Sequence, residues 1–433
     1  MSSSLGTPRA VGTVAGRGGV DRCPGTVAVY QADDGGLARI RLPGGALTPD
    51  ALLALANWAR ELGNGRLELT GRANVQLRGL APGAERELSE RLAGRGLLPS
   101  AAHDKARNVL VSPLSGLDGT GVLDVRPLVS ELDRRLCADP ALAQLSGRFL
   151  FALDDGRGDV AGVNADVTAL AMPDQRVALL LGGRDTGLRP PVRAAVTAML
   201  AAASAFLRRR ADERVWRVDE LPDGPLELVD ELDGRLGVVR GPLVSVPQRD
   251  PIGPLGRIVQ IDGRVALAVS VPLGELTLAR CQVIASVAQR RVVLTPWRGV
   301  VLPDLPPHAA APAGRRLEGA GLVLDPRSPA RGVSSCTGRP GCAKALADVR
   351  ADASVTAGRA AGTAEPSPVD PDAVLLPVHW SGCSRRCGRP AGPVVDVVAE
   401  PDGYRVSRDG ATSFHGAEVA EVRAAAARAR TDS

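Results

Sequence analysis

Ser334-Ser335-Cys336-Thr337-Gly338-Arg339-Pro340-Gly341-Cys342 and, later in the chain, His379-Trp380-Ser381-Gly382-Cys383-Ser384-Arg385-Arg386-Cys387-Gly388-Arg389-Pro390 place four thiols in two tight pairs, with five and three residues between partners. An iron–sulfur cubane needs four thiolates converging on one point, so each pair has to ride on a short loop that doubles back. Gly338, Pro340 and Gly341 supply that turn in the first pair, and Gly382, Gly388 and Pro390 in the second. The sequence 343–353 predicts a helix whose positive N-terminal end faces the thiolates. Zinc sites favour shorter knuckles, and disulfides are the other use of paired cysteines; the spacing favours the cluster.

Cys-x5-Cys followed by Cys-x3-Cys-Gly-Arg-Pro resembles the sulfite and nitrite reductase superfamily. The resemblance implies that Cys336, Cys342, Cys383 and Cys387 hold a 4Fe-4S cluster, with Cys387 facing the iron of any bound tetrapyrrole such as sirohaem.

The rest of the 433 residues is consistent with a multidomain protein, since one compact core does not serve a chain of this length. Hydrophobic residues make up 44%, enough for a core with only 2% aromatics. The net charge of +5 is carried almost wholly by arginine, Lys105 and Lys344 being the only lysines. Arginine suits two-pronged carboxylate binding, although an Ala-, Gly-, Pro- and Arg-rich composition also reflects coding bias. No basic run interleaved with aromatics points to nucleic acid. The first 20 residues lack an apolar core segment, so they read as a disordered start and not as a signal peptide. The most apolar helix candidate, 192–207, is too weak to span a bilayer. No membrane partner is expected. Seven cysteines without an export signal fit a cytoplasmic setting with free thiols, and Cys23, Cys137 and Cys281 read as ordinary ones.

An internal repeat predicts a two-fold architecture. Leu37-Ala-Arg39-Ile-Arg41-Leu-Pro-Gly-Gly-Ala-Leu-Thr48 is matched by Ala266-Leu-Ala-Val-Ser-Val-Pro-Leu-Gly-Glu-Leu-Thr277, and in each copy an alternating strand meets Pro and Gly before Leu-Thr opens a helix. Each helix, 51–62 and 278–288, leads to a further strand, read as 66–78 and 291–302. Such units resemble the ferredoxin-like half domains of the superfamily. The expected fold is therefore α+β with a sulfite-reductase-like architecture: two ferredoxin-like half domains paired by pseudo-two-fold symmetry, and two larger α/β domains around a central tetrapyrrole pocket. The expected divisions are a disordered 1–20, half domains at 21–99 and 226–324, and α/β domains at 100–225 and 325–433. Segment 352–372 reads as a flexible loop and 417–430 as a terminal helix.

A uroporphyrinoid carries many rim carboxylates, so its pocket needs cations on rigid strands. Arg72, Arg78 and Arg107 fall at expected strand ends, with Asn74 and Gln76 alternating beside them and Asn108 adjoining. Thr70-Gly-Arg72 and Arg107-Asn108-Val109 resemble the superfamily's arginine-bearing motifs. A Lys-Phe-Lys-like element of the reductases, whose ammonium groups hold the small anion and feed it protons, is here Arg148-Phe149-Leu150. Leucine cannot relay protons, which weighs against a six-electron reductase.

A closer similarity is to the oxygen-dependent precorrin-3B synthase branch, carried by Arg22-Cys-Pro-Gly25, by 69–79, by Phe151-Ala-Leu-Asp154-Asp155-Gly156 and by His379-x-Ser-Gly-Cys383. It implies precorrin-3A and dioxygen as substrates, NAD(P)H as ultimate electron donor and a mononuclear non-haem iron beside the cluster. Arg148, Asp154, Asp155 and His379 are the candidate catalytic residues, His379 and the two aspartates being the candidate iron ligands, with a packed core histidine and an acidic turn as the bland readings. No Gly-x-Gly-x-x-Gly opens a helix after a strand, so an external reductase or ferredoxin is the expected donor. A sirohaem reductase and a non-catalytic cluster protein are the competing readings.

Overall fold

In the computed structural model, residues 21–246, 252–357 and 375–430 are described. The reading of 1–20 and most of the loop expected at 352–372 lie outside them. The chain begins with β1 (Tyr30–Ala32), β2 (Gly35–Ile40), β3 (Ala46–Leu47), α1 (Pro49–Leu62), β4 (Arg66–Leu69), β5 (Val75–Leu80) and α2 (Ala84–Gly94). An α/β stretch follows: β6 (Val109–Val111), α3 (Arg126–Ala138), β7 (Phe151–Asp154), β8 (Val167–Ala171), β9 (Val177–Leu181), β10 (Arg184–Asp185), α4 (Ala195–Arg209) and α5 (Val229–Leu236). The first pattern then recurs as β11 (Gly256–Val259), β12 (Val265–Ser270), β13 (Glu275–Thr277), α6 (Leu278–Val287), β14 (Val292–Leu294), β15 (Gly299–Leu305) and α7 (Pro307–Gly319). The last stretch is β16 (Val333–Ser335), α8 (Val349–Ala357), β17 (Val378–Ser381), β18 (Val395–Glu400), β19 (Gly403–Arg408), β20 (Ala411–Gly416) and α9 (Val419–Ala429).

Both Leu-Thr steps open helices as expected. Thr48 Oγ1 accepts from Ala51 N at 3.1 Å and Thr277 Oγ1 from Arg280 N at 3.3 Å, so each hydroxyl satisfies an orphan donor of the first turn. Leu52, Leu55, Ala56 and Ala59 then bury one face of α1, which packs on α6.

The repeats exchange strands. The first sheet runs β1-β2-β5-β4-β13 and the second β11-β12-β15-β14-β3, so each half completes its sheet with a strand of the other. This reciprocity is the physical content of the pseudo-two-fold, because neither half closes its hydrogen-bond ladder alone. Gly45, just before β3, has φ +68, and a Cβ there would lie 2.3 Å from the Leu294 carbonyl oxygen of the other half. Gly45→Ala is expected to destabilise the fold by about 1–3 kcal/mol from left-handed backbone strain alone, read as a lower urea midpoint.

The segments read as single strands, 66–78 and 291–302, are instead hairpins, β4/β5 and β14/β15. Thr70 Oγ1 accepts from Asn74 N at 3.1 Å and Thr295 Oγ1 from Gly299 N at 3.1 Å, closing matched turns. Ala73 and Arg298, three residues after each threonine, both adopt positive φ, at 54° and 55°. Threonine's local bonding to the backbone competes with strand continuation, and the strand propensity of Leu and Val hid it.

The two α/β sheets share one topology. In β6-β7-β8 and in β16-β17-β18 three strands run parallel, and two antiparallel strands complete each sheet. The helix expected from 343 starts later, at Val349, with Asp348 Oδ1 accepting from Ala351 N at 3.1 Å. Residues 343–348 form turns because the loop must wrap the cysteines before the helix begins. Residues 352–357, read as loop, belong to α8.

Candidate cluster and tetrapyrrole site

β16 and β17 lie side by side and parallel, with Ser334 opposite His379 and Ser335 opposite Trp380. Both cysteine loops leave from the same ends of these strands, Cys336 directly after Ser335 and Cys383 two residues after Ser381. Parallel pairing thus delivers two sequence-distant pairs to one place, at the carboxyl ends of strands where open α/β sheets offer their crevices. Gly382 N donates to Cys336 Sγ at 3.2 Å, and Leu346 N to Gly382 O at 2.8 Å, locking the loops together. A Cβ on Gly382 would sit 2.6 Å from Ala345 Cβ, so only glycine lets the loops meet.

The other cysteines are held from outside their loops. Asp33 Oδ2 accepts from Ala343 N at 2.7 Å, and Arg78, paired to Asp34 at 2.8 and 2.9 Å, donates to Gly341 O at 3.1 Å; these contacts flank Cys342. Asp396 of β18 takes Arg389 and Arg386, at 3.0 and 3.4 Å, on either side of Cys387. His379 Nε2 lies 3.0 Å from the Cys387 carbonyl oxygen and Nδ1 2.9 Å from Ser334 Oγ. A carbonyl only accepts, so Nε2 carries the hydrogen and Nδ1 receives the serine hydroxyl. Burial, then the nearby Arg298 cation, presses the His379 pKa down to about 3, which keeps the ring neutral.

This donor set suits a cluster. Burial, with Cys387 and Cys383 nearby, raises the Cys336 thiol pKa, so a cationic centre would favour its ionised form. Among the described residues, no three sulfurs lie within 4.8 Å of one another. Four sulfurs on one zinc would be separated by about 3.8 Å, given Zn–S bonds of about 2.3 Å. The hydroxyl of Ser381, buried on the same strand face as His379, has no hydrogen-bond partner among the described residues.

The half domains and the neighbouring α/β stretch gather buried arginines, one of which, Arg298, touches the second cysteine loop. Arg39 and Arg41 stand on and just after β2, Arg72 and Arg298 in the two hairpin turns, and Arg217 ahead of α5. Burial, then mutual repulsion for the first two, depresses the Arg41, Arg72 and Arg298 pKa values to about 10. Arg41 is 1% exposed, and its Nη1 donates to the Pro24 carbonyl at 2.6 Å, yet its Nε and Nη2 have no partner among the described residues. Arg72 donates to the Gly147 and Arg148 carbonyls at 3.0 and 2.8 Å, and Arg298 to the Gly388 carbonyl at 2.5 Å. Arg148 sets its guanidinium over the Trp216 ring, 4.9 Å from its centroid. Asp166 pairs with Arg217 at 2.7 Å and offsets part of this positive charge; the remainder favours an anionic ligand.

The remaining sequence candidates sit as follows. Gln76 accepts from Arg39. Asn74 and Asn108 are buried and knotted together, Asn74 Oδ1 accepting from Leu42 N at 2.8 Å and Asn108 Nδ2 donating to Gly147 O at 3.1 Å. Arg107 is committed to Asp133, at 2.7 and 2.8 Å, and to the Leu97 carbonyl at 2.9 Å, and Arg78 to the Cys342 loop. Asp154 accepts from the backbone of Gly156, Gly158, Val160 and Ala161, while Asp155 pairs with Arg157 at 2.8 Å. With Asp159 they form an acidic group at the end of β7, where the other α/β sheet carries its cysteines. Sequence reasoning missed Arg39, Arg41, Arg217 and Arg298. Arg39 and Arg41 lay within the quoted repeat, and Arg298 follows Thr295 at the spacing of Ala73 after Thr70.

Burial, then Asp154, pushes the Asp159 pKa up to about 7. Between pH 4 and 7 the folded chain then binds more protons than the unfolded one, so this group's contribution to stability falls as pH rises. Asp159→Asn is expected to flatten that dependence, measured as urea midpoints at pH 5 and pH 8.

Residues 30–95 match the nitrite/sulfite reductase ferredoxin-like half domain. The NirA protein of Mycobacterium tuberculosis superposes with a TM-score of 0.71 at 22% identity, covering 90% of this chain and 79% of that one. The chain has the sulfite and nitrite reductase fold. A precorrin-3B synthase from Sinorhizobium is 27% identical over 90% of this chain and 83% of its own length. A ferredoxin–nitrite reductase from Synechococcus elongatus is 28% identical over 86% and 77%. The sulfite-reductase-like architecture thus holds, and with it the paired half domains that the repeat announced. No described helix is long and apolar enough to cross a membrane.

Proposed function

We propose that the chain is an oxidoreductase that binds a polycarboxylate tetrapyrrole against its cluster and acts as a precorrin-3B synthase, converting precorrin-3A to the hydroxylated γ-lactone precorrin-3B with dioxygen and NAD(P)H-derived electrons. The carrying observation is the set of buried arginines: Arg39, Arg41 and Arg72 lie near enough to repel one another, and Arg298 reaches the Gly388 carbonyl of the second cysteine loop. Together they would form a chamber that holds rim carboxylates beside an electron source.

Cys336, Cys342, Cys383 and Cys387 would hold the 4Fe-4S cluster, which when bound supplies electrons singly. His379 keeps the Cys387 backbone in place, and Arg148, backed by Trp216, is the cation at the chamber's edge. Leu150 supports the monooxygenase over the reductase: its side chain is buried in the half-domain core, so the second cation of the reductase element has an apolar replacement turned away from solvent. Ala343, Lys344, Leu346, Arg385 and Cys387 are exposed, giving an external reductase or ferredoxin access to the cysteine loops. A mononuclear iron would have no two-histidine set. Among the described residues the only histidine close enough to two carboxylates to share an ion is His415, with Glu400 and Asp402 on the outer hairpin.

Anaerobic purification followed by absorption spectroscopy, iron and sulfide analysis and an assay with precorrin-3A tests the reading. Cluster absorption alone with oxygen-dependent turnover is expected. Tightly bound sirohaem bands would assign the chamber to a cofactor and favour a sulfite or nitrite reductase, and binding without turnover would leave a non-catalytic cluster protein.

A further inference from the structure

One polar row crosses the first half-domain sheet and leads from the arginine chamber to the cluster. Register places Arg39 of β2 opposite Gln76 of β5, Gln76 opposite Glu68 of β4, and Glu68 opposite Glu275 of β13. The side chains are bonded in the same order. Arg39 Nε donates to Gln76 Oε1 at 3.1 Å, and Gln76 Nε2 to Glu68 Oε2 at 3.3 Å. The row ends in two carboxylates side by side, which repel across a strand pair unless a cation lies between them. Arg350 of α8 is that cation, donating to Glu68 at 2.6 Å and to Glu275 at 2.5 Å. Its Nε also approaches the Cys336 carbonyl at 3.4 Å. Glu68 is 7% exposed, so its interactions are weakly screened.

We propose that Glu68 and Arg350 are positioning residues that couple tetrapyrrole binding at Arg39 to the reduction potential of the cluster held by Cys336. The proposal rests on the tetrapyrrole reading of the chamber. A ligand carboxylate that pairs with Arg39 competes with Gln76 for the guanidinium. Gln76 then rebalances its bond to Glu68, and the share of Arg350 left for the Cys336 loop changes. By reciprocity, whatever the ligand does to cluster reduction, reduction does to ligand affinity.

The test uses cluster-loaded protein and uroporphyrin III as the probe, with binding followed by fluorescence and the cluster potential by a redox titration monitored by electron paramagnetic resonance. Saturating probe is expected to shift the wild-type potential by an amount equal to a tenfold affinity difference between oxidation states, 59 mV for a one-electron couple. Glu68→Gln is expected to bind the probe and to lose at least half of that shift. Should this variant fail to retain its cluster, Gln76→Ala, which cuts the row on the chamber side and leaves Arg350 paired, is expected to lose the shift in the same way. Binding with an unshifted wild-type potential, or a full shift in a variant that still binds, would overturn the coupling and leave the tetrapyrrole reading intact. Absence of wild-type binding would remove that reading and the coupling with it.

Discussion

Cys336→Ser is expected to yield folded protein without its cluster: iron and acid-labile sulfide fall from about four of each to near zero, and the brown absorbance is lost. Cys336 Sγ receives the Gly382 amide at 3.2 Å and stands where the two loops cross, so it is the thiol through which the pairs are registered. Serine's hydroxyl is a poor iron ligand at neutral pH. The neighbouring β16–β17 pairing rests on backbone bonds and on Val333, Val378 and Trp380 in the core, so far-ultraviolet circular dichroism is expected to be retained. Wild-type iron and sulfide in the folded variant would remove Cys336 from the ligand set.

Arg72→Ala is expected to weaken binding of an octacarboxylate porphyrin by about 1.5–3 kcal/mol, roughly tenfold to 150-fold, since hydrogen bonds to a charged partner carry that much. Arg72 sits in the first hairpin turn beside Arg217 and Arg39, where burial already lowers its pKa to about 10, so an anion gains more there than at an exposed arginine. Its present bonds to the Gly147 and Arg148 carbonyls also brace the chamber wall. Arg72→Lys separates these roles: a recovered thermal midpoint with binding still impaired assigns the loss to the two-pronged carboxylate contact. Unchanged affinity in the alanine variant would place Arg72 among the bracing residues.

How much of this was legible differs from element to element. The two helix starts at Thr48 and Thr277 were legible because capping is local chemistry, a hydroxyl three residues from the amide it serves. The hairpins were not, because Thr70 and Thr295 turn the chain through side-chain bonds that strand propensity conceals. The two cysteine pairs were legible from spacing, and the structure sets their loops side by side. The start of α8 was misplaced because alanine-rich 343–348 has helix propensity but is needed to wrap the loops. Arg107 looked like a pocket residue by motif, and only tertiary structure showed its guanidinium held by Asp133.

The sequence by itself determined the kinds of group and their local turns: cysteine pairs on glycine-rich loops, a doubled strand–helix kernel and an arginine-heavy cation set. Tertiary structure alone decided which of these meet. The exchange of β3 and β13 brings the two hairpin turns, which carry Arg72 and Arg298, side by side, and parallel pairing of β16 with β17 joins the cysteine loops. The strand-to-strand row from Arg39 through Gln76 and Glu68 to Arg350 has no sequence pattern, since its members lie on separate elements and share a line only through sheet register. Local chemistry acts between near neighbours in the chain and can be read there, whereas register and strand exchange depend on distant segments packing together and appear only in the folded protein.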